Sequence, residues 1–561
     1  MDSKLKKMVF AKNARLEDAL ECCLAGGKKV AFCLDDDGIL LGLLTEGDIL
    51  RAFKDGATLD TPAATTMNSD PISVSDSLSF EEAKKLLGNK IQLIPRTDGK
   101  GRLTGFIDLT SSEYGFLKIK SKNITILGLG YVGLTMGLVL ADTGFQVKGF
   151  DINRKLLKTL GNKKKPFFEN GIDELIEEHV GNRLRLTDDI ASAQADIYVI
   201  TVGTPVDKRT HQPQMDAIKK ASASIGSLLT PENLVILRST VMVGTTRDVV
   251  IPELEKASGL TAGKDFFVAF CPERTAEGRA LTELRQLPQI VGGLDEKSVE
   301  LAARLFNEYT PTVVRTESIE AAELCKLIDN CYRDVRFAFA NQVAEIAEKI
   351  GVNIHDIINM VNLNYARNSI PKPSPGVAGP CLIKDPYILD KVFQNHGMQA
   401  SLLMAARAIN ELGAVSPADK VDAALRQKGK TLENARVCVV GFAFKGAPET
   451  SDLRDSTTLM FLEHLKEYTS DIVGYDPVAF REELEELNIG IVDSPEEGFK
   501  NADAVFVMNN HPSYKKWNLE ELLPKMSHPS VFYDGWHLFG DRNFINHQDV
   551  EYMCVGVGNN R

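Results

Sequence analysis

The sequence predicts an α/β protein: two doubly wound, parallel-sheet domains joined by a long-helix middle domain and preceded by a small α+β module. Three observations carry this. At 561 residues the chain is too long for one core, and three or four domains of ordinary size are expected. From residue 120 to about 310, and again from 431, short apolar runs alternate with helical patterns, the order that builds a parallel sheet with its site at the strand C-terminal ends. Between these series, "SIEAAELCKLIDNCYRDVRFAFANQVAEIAEKIGV" (318–352) keeps a helical pattern throughout, which suits a spine between domains. The expected boundaries are 1–118, 119–312, 313–415 and 416–561.

Composition narrows the function. The chain is 43% hydrophobic and 25% charged, ordinary for a globular protein. No apolar run reaches the roughly 18 residues of a membrane helix, and "MDSKLKKMVFAKN" lacks the apolar stretch of a secretory signal. A net charge of −12 argues against nucleic-acid binding. The nine cysteines form no CxxC pair, which fits reduced thiols in a cytoplasmic protein and predicts neither a disulfide frame nor a metal site. Eight of them are expected to be small buried hydrophobes or inert thiols.

The first 118 residues contain two similar units, 28–53 and 67–109. Each has a strand, a polar turn with glycine, a second strand and a polar end. This resembles a tandem CBS-domain pair, and "GLLTEGDILRAF" is its best-matching stretch. In that family a Thr/Ser-x-x-Asp at the strand end holds the phosphate and ribose of an adenine nucleotide. Thr45 and Asp48 match it. The second unit ends in "GFIDLTSS" without that spacing, so at most one nucleotide site is expected. A packing or dimerising module without ligand is the alternative.

"NITILGLGYVGLTMGLVLADTGFQVKGFD" (123–151) follows. An apolar strand, a glycine turn, a helix closed by Gly144 and a second strand are the setting of a Rossmann dinucleotide fingerprint. Gly128 and Gly130 allow the tight turn and close backbone approach to a pyrophosphate at the helix N-terminus, beside Tyr131 and Val132. Gly133 permits close helix–strand packing. Asp151 ends the second strand about 20 residues on, where a carboxylate accepts ribose hydroxyls and repels a 2′-phosphate. The cofactor expected is therefore NAD, with Arg154 nearby as the one counter-indication. Thr204, Thr240 and Glu273 fall just after later strands, at the edge where ligands bind.

The motifs "GLGYVG", "VGTPVD", "STVMVGTT", "PERTAEG", "AELCKLIDN", "GVAGPCLIKD" and "GFAFKG" then occur in one order. Together they resemble the UDP-sugar 6-dehydrogenase family over about residues 120–555. The resemblance implies oxidation of the sugar C6 alcohol to a carboxylate, with two NAD+ used in succession, and a C-terminal Rossmann-like domain that binds UDP. The residue types suit that chemistry. Oxidation past the aldehyde needs a thiol to form a thiohemiacetal and then a thioester, an oxyanion stabiliser, and a base for water.

Cys381 matches the family nucleophile. If "GPCLIKDPY" opens a helix, Cys381 lies in its first turn, where the dipole favours the thiolate, and Asp385 lies one turn on. Asp385 resembles the acid that assists proton transfer. Lys326 and Asn330, four apart on the long helix, share a face that can point into one cleft, Lys326 for the oxyanion and Asn330 to orient an oxygen. By resemblance, Glu277 is the hydrolytic base, Glu273 and Thr240 are its neighbours, and Lys445 and Arg454 hold UDP phosphates, the sugar or the cofactor. Arg367 resembles an arginine reaching the substrate of a partner subunit, so a homodimer or higher homo-oligomer is expected.

The chain departs from the UDP-glucose enzymes in "PERTAEG", where those read "PEFLREG", and in "GVAGPC", where Ala378 replaces a glycine and Pro380 precedes the thiol. These details, with "LPQIVGG", are more like the branch that oxidises UDP-N-acetylglucosamine or UDP-N-acetylmannosamine, supplying acidic sugars for cell-surface polysaccharide. UDP-glucose oxidation and a two-electron hydroxyacid-type dehydrogenase are the alternatives. A third is a nucleotide-sensing regulator with an inert dehydrogenase half.

Overall fold

The computed structural model describes residues 3–26, 29–75, 93–108, 119–207, 209–377, 379–540 and 549–558. The chain divides into two compact units, Met1–Lys118 and Ile119–Arg561.

The first unit contains two three-stranded sheets of one topology: β1 (Val9–Ala11), β2 (Val30–Leu34) and β3 (Leu40–Thr45), then β4 (Val74–Ser75), β5 (Leu93–Thr97) and β6 (Leu103–Asp108). In each the first pair is parallel and the second antiparallel, with a register shift at Cys33/Leu34 and at Arg96/Thr97. The shared irregularity reflects the internal repeat in the sequence. Neither small sheet can bury a core by itself, so Phe32 and Leu34 of the first pack with Leu93 and Leu103 of the second. Thr45 caps α1 (Glu46–Lys54) in a capping box with Asp48. Arg51 pairs with the Asp48 carboxylate. The segment "LTSS" of the expected second-repeat ending lies outside the described residues.

The second unit begins with an eight-stranded sheet, made of β7 (Asn123–Leu127), β8 (Gln146–Phe150), β9 (Leu184–Thr187), β10 (Ile197–Ile200), β11 (Leu234–Leu237), β12 (Phe267–Phe270), β13 (Gln289–Gly293) and β14 (Val313–Arg315). Its order is β14-β13-β12-β11-β10-β7-β8-β9, so the chain reverses its winding between β7 and β10. Every residue of β10, β11 and β12 is buried, as continuous apolar strands covered on both faces must be. The sheet is parallel except at β12–β13, which is antiparallel, a departure from the uniformly parallel sheet expected.

A second sheet is formed by β15 (Val437–Val440), β16 (Ile472–Tyr475), β17 (Gly490–Ile491), β18 (Ala504–Val507), β19 (Ser530–Asp534) and β20 (Val550–Cys554). Its order, β17-β16-β15-β18-β19-β20, is that of a doubly wound dinucleotide domain.

Between the two sheets, α3 (Ile319–Ile350) runs 32 residues from a Ser318 cap to Gly351, which has the left-handed φ of 76° that ends helices. α6 (Ser401–Gln427), which the sequence had not marked out, packs along α3 and against the C-terminal sheet. Two shorter helices lie between them, α4 (Ile354–Asn362) and α5 (Asp385–Asn395). Arg407 of α6 and Asp334 of α3 form an ion pair of 2.7 Å with both side chains 1% exposed. Asn410 also donates to Asp334, at 2.9 Å. Rupturing such a pair from one side costs about 3–5 kcal/mol, so the two long helices are locked together. The opposite face of α3 leaves Leu324, Ile328, Tyr332, Phe339, Ile346 and Ile350 exposed. Among the described residues, no helix is long and apolar enough to cross a membrane.

Candidate active site

The glycine turn after β7 has the form a dinucleotide needs. Gly128 takes φ +94°, and a side chain on Gly133 would lie 1.9 Å from the Gly128 carbonyl oxygen. A Cβ on Gly130 would meet open space, so a phosphate can approach the backbone there. Gly130 caps α2 (Tyr131–Thr143) without a side-chain acceptor, which leaves the positive end of the helix dipole to an anion. Asp151, just past β8, accepts the Leu129 amide at 2.7 Å and the Asn153 amide at 2.8 Å, so it also braces the turn. Arg154, the counter-indication, pairs with Asp188 at 2.8 Å on the surface. These residues fit NAD.

Val132 follows in the first turn of α2. Tyr131 is tied differently from expectation. Its hydroxyl donates to Glu169, and the Gly278 amide donates to both, at 3.0 Å to Tyr131 and 2.6 Å to Glu169. It therefore joins the glycine turn to the "PERTAEG" loop.

Three domains converge on Cys381. Its side chain reaches solvent, yet surrounding protein displaces enough water to raise the thiol pKa. The charges acting on it, after that desolvation, are Lys326 (lowering), Asp385 (raising), Lys384 (lowering) and Glu277 (raising). These groups therefore stand together. Lys326 and Asn330 are buried on one face of α3. Asn330 Nδ2 donates to Asp385 Oδ2 at 2.5 Å, and Lys384 Nζ lies 3.2 Å from Asp385 Oδ1 and 3.5 Å from Thr204 Oγ1. Thr204 donates in turn to the Thr240 carbonyl at 2.6 Å. One expectation is corrected here: α5 starts at Asp385, so Cys381 lies in the turn before it. Its carbonyl accepts the Asp385 amide at 3.0 Å. Pro386 at the helix start sets the boundary. The thiol therefore does not lie within the first turn of a helix, and the charges that favour its thiolate are Lys326 and Lys384.

The "PERTAEG" loop supplies Glu277, most of whose carboxylate is out of solvent. Burial raises its carboxyl to about 7, helped by Asp452 and opposed by Arg454, Lys445 and Thr450. Lys445 donates to the Glu277 carbonyl at 2.8 Å, Thr450 donates to its carboxylate at 3.2 Å, and Arg454 stands 3.8 Å away. Arg454 is itself bound to Asp452.

Family models cover most of the second unit. The UDP-glucose/GDP-mannose dehydrogenase NAD-binding, central and UDP-binding domains match residues 122–310, 320–412 and 438–541, and a CBS domain matches 63–111. A UDP-N-acetyl-D-mannosamine dehydrogenase of Pyrococcus horikoshii is 32% identical over 437 residues, which are 78% of this chain and 99% of that protein. The chain belongs to the UDP-glucose/GDP-mannose dehydrogenase family. The solved UDP-D-ManNAc dehydrogenase of that organism superposes with a TM-score of 0.71 at 31% identity, covering 78% of this chain and all of that one. The UDP-N-acetyl-mannosamine dehydrogenase Cap5O of Staphylococcus aureus gives 0.65 at 28% identity, covering 77% and 98%. Like its family, the chain is an NAD-dependent UDP-sugar dehydrogenase carrying an N-terminal CBS domain.

Against that family background, Glu273 carries a structural contact and Arg367 lies on the surface. Glu273 is buried against Arg238; desolvation pushes its carboxyl up, and Arg238, the Thr275 hydrogen bonds and Lys326 together bring it below the usual carboxylate range. The Glu273 carboxylate also accepts the Arg274 and Thr275 amides, both at 2.7 Å. It anchors the loop. Arg367 is exposed after α4 and holds no hydrogen bond or ion pair among the described residues. Ala378 lies outside the described residues. Lys384 was overlooked although it adjoins Asp385 in "CLIKD". Glu323 was overlooked too: buried in α3, it accepts the Gly244 amide at 2.6 Å and the Thr246 amide at 2.9 Å, pinning the "STVMVGTT" turn to the spine.

Proposed function

We propose that this dehydrogenase oxidises the C6 alcohol of a UDP-N-acetylhexosamine, UDP-N-acetylmannosamine foremost, to the uronate through a covalent Cys381 thioester. The convergence of Cys381, Lys326, Lys384 and Asp385 of the middle domain with Glu277 of the NAD-binding domain carries the reading. NAD+ held at the glycine turn and Asp151 would supply the hydride acceptor for each of two oxidations. Lys326, buried beside the thiol, stabilises the C6 oxyanion as the alcohol loses its proton and hydride. The thiol adds to the resulting aldehyde, and the thiohemiacetal loses a second hydride to leave a thioester. Asp385, held by Asn330 and Lys384, positions the oxygen and relays its proton. Glu277 takes a proton from water, which attacks the thioester and releases the carboxylate and the thiol. In balance, one alcohol, two NAD+ and one water give one carboxylate, two NADH and three protons. Lys445 and Arg454, the cations beside Glu277, are assigned to the UDP phosphates on the resemblance. The relatives named for UDP-N-acetylmannosamine support the choice of sugar.

A panel of UDP-glucose, UDP-N-acetylglucosamine and UDP-N-acetylmannosamine, scored for NADH formed per sugar consumed, tests this. Two NADH per sugar are expected, with UDP-N-acetylmannosamine turned over fastest. One NADH per sugar sets aside the thioester route, and a preference for UDP-glucose reassigns the substrate. An open groove lined by Asp48, Arg51, Thr61, Thr65 and Thr66 is where an adenine nucleotide would bind at the CBS pair; Thr45 is not in its lining and its hydroxyl donates to Asp48. ATP or AMP added to the panel then shifts the rates; unchanged rates and an unchanged melting temperature argue for the ligand-free packing role.

The apolar stripe on α3 supports a homodimer in which two copies bury it against each other, bringing Arg367 towards the partner. Light scattering is expected to give twice the 61.7 kDa chain mass. A Phe339→Glu, Ile346→Glu variant is expected to halve it. A monomeric unsubstituted chain counts against the dimer.

A further inference from the structure

The C-terminal sheet meets the helical middle at a cluster of side chains that takes no part in the proposed reaction. His355 lies in the first turn of α4, His537 in the loop after β19, and Cys554 at the end of β20. One ligand atom from each lies within 4.8 Å of the others, with His355 and Cys554 buried and His537 half-buried. His355 Nε2 stands 2.9 Å from the Val555 carbonyl. A carbonyl can only accept, so the ring proton is on Nε2 and Nδ1 carries a lone pair. That Nδ1 is buried without a hydrogen-bond partner, although an unsatisfied buried polar atom costs about 1–3 kcal/mol. Metal-bound histidines ordinarily donate their second ring N–H to a carbonyl or carboxylate. His355 already does so.

We propose that His355 Nδ1, His537 and Cys554 Sγ bind a divalent ion of the zinc class, which ties the C-terminal domain to α4. Two imidazoles and a thiolate select Zn2+ or Co2+ over Mg2+ and Ca2+. The two rings stack with centroids 4.0 Å apart and planes 11° from parallel. Imidazole lone pairs lie in the ring plane, so one ring must turn for both to meet an ion. His537, on a loop and half-buried, is the ring that turns, and a water from its exposed side completes four ligands. Asp534 is committed elsewhere, accepting the Trp536 amide at 3.1 Å, the Phe539 amide at 2.9 Å and the Tyr552 hydroxyl at 2.9 Å. On binding, the Cys554 thiol releases its proton to solvent.

The full chain, stripped with a chelator and titrated with Co2+, tests the site. We expect one Co2+ per chain and a thiolate-to-cobalt charge-transfer band in the near ultraviolet that Zn2+ abolishes. Cys554→Ser is expected to remove the band and weaken binding by at least about 100-fold, and His537→Ala by at least about 10-fold. Because His537 is half-buried on a loop, its replacement leaves the fold intact if Cys554→Ser does not. Zn2+ is expected to raise the melting temperature of the unsubstituted chain but of neither variant. In Cys381→Ala the band is expected to persist, which separates this thiolate from the catalytic one. No charge-transfer band in the unsubstituted chain, or a band that survives Cys554→Ser, overturns the proposal.

Discussion

Replacing Cys381 by alanine is expected to reduce uronate formation by at least about 10⁴-fold, the scale on which removal of a covalent nucleophile acts. Binding of NAD is expected to be unchanged, because the glycine turn and Asp151 lie in another domain and make no contact with the thiol. Without the sulfur there is no thiohemiacetal, so oxidation halts at the aldehyde with at most one NADH per sugar. Product analysis by mass spectrometry, alongside NADH absorbance, separates this from general loss of activity. An alanine variant that still formed uronate at the parental rate would remove the covalent route altogether. Because the thiol pKa is raised by desolvation, attack draws on Lys326 and Lys384. Lys326→Met is thus expected to slow the same step, though by less, as one lost oxyanion donor typically costs about 10²–10³-fold.

Glu277→Gln is expected to separate the oxidations from the hydrolysis. Both hydrides are transferred before water is needed, so the variant should give a burst of two NADH per active site and then turn over about 10²–10⁴-fold more slowly, the range assigned to a general base. The acyl-enzyme, trapped by acid quench and detected by mass on Cys381, is the direct readout. The pH dependence follows from the protonation state. Only the carboxylate can accept a proton from water, and burial places this carboxyl at about 7. Hydrolysis should therefore rise with pH through neutrality and level off above it, and this limb should vanish in the glutamine variant. A Glu277→Gln enzyme with no burst, or with an unchanged pH profile, would place the base elsewhere.

Local features of the chain were legible before any coordinates. The helix in "YVGLTMGLVLADTG" spans Tyr131–Thr143 and ends on Gly144, and the run from 318 to 352 is one helix over Ile319–Ile350. Both follow from short-range periodicity and caps, interactions a few residues long. The helix after Cys381 was misplaced because a proline just inside its start and a turn ahead of it look alike in sequence. α6 went unmarked because its apolar residues face two partners, α3 and the C-terminal sheet, and so show little one-sided pattern.

By itself, then, the sequence determined the α/β class, the order of the elements, the dinucleotide turn and the set of chemically competent residue types, since each depends on neighbours close along the chain. The tertiary structure alone decided which charges share the space around Cys381, that Glu273 is an anchor on Arg238, and that His355, His537 and Cys554 meet. Those outcomes depend on contacts between residues far apart in the chain. No spacing rule encodes them, because they are set by how three packed domains close on one another.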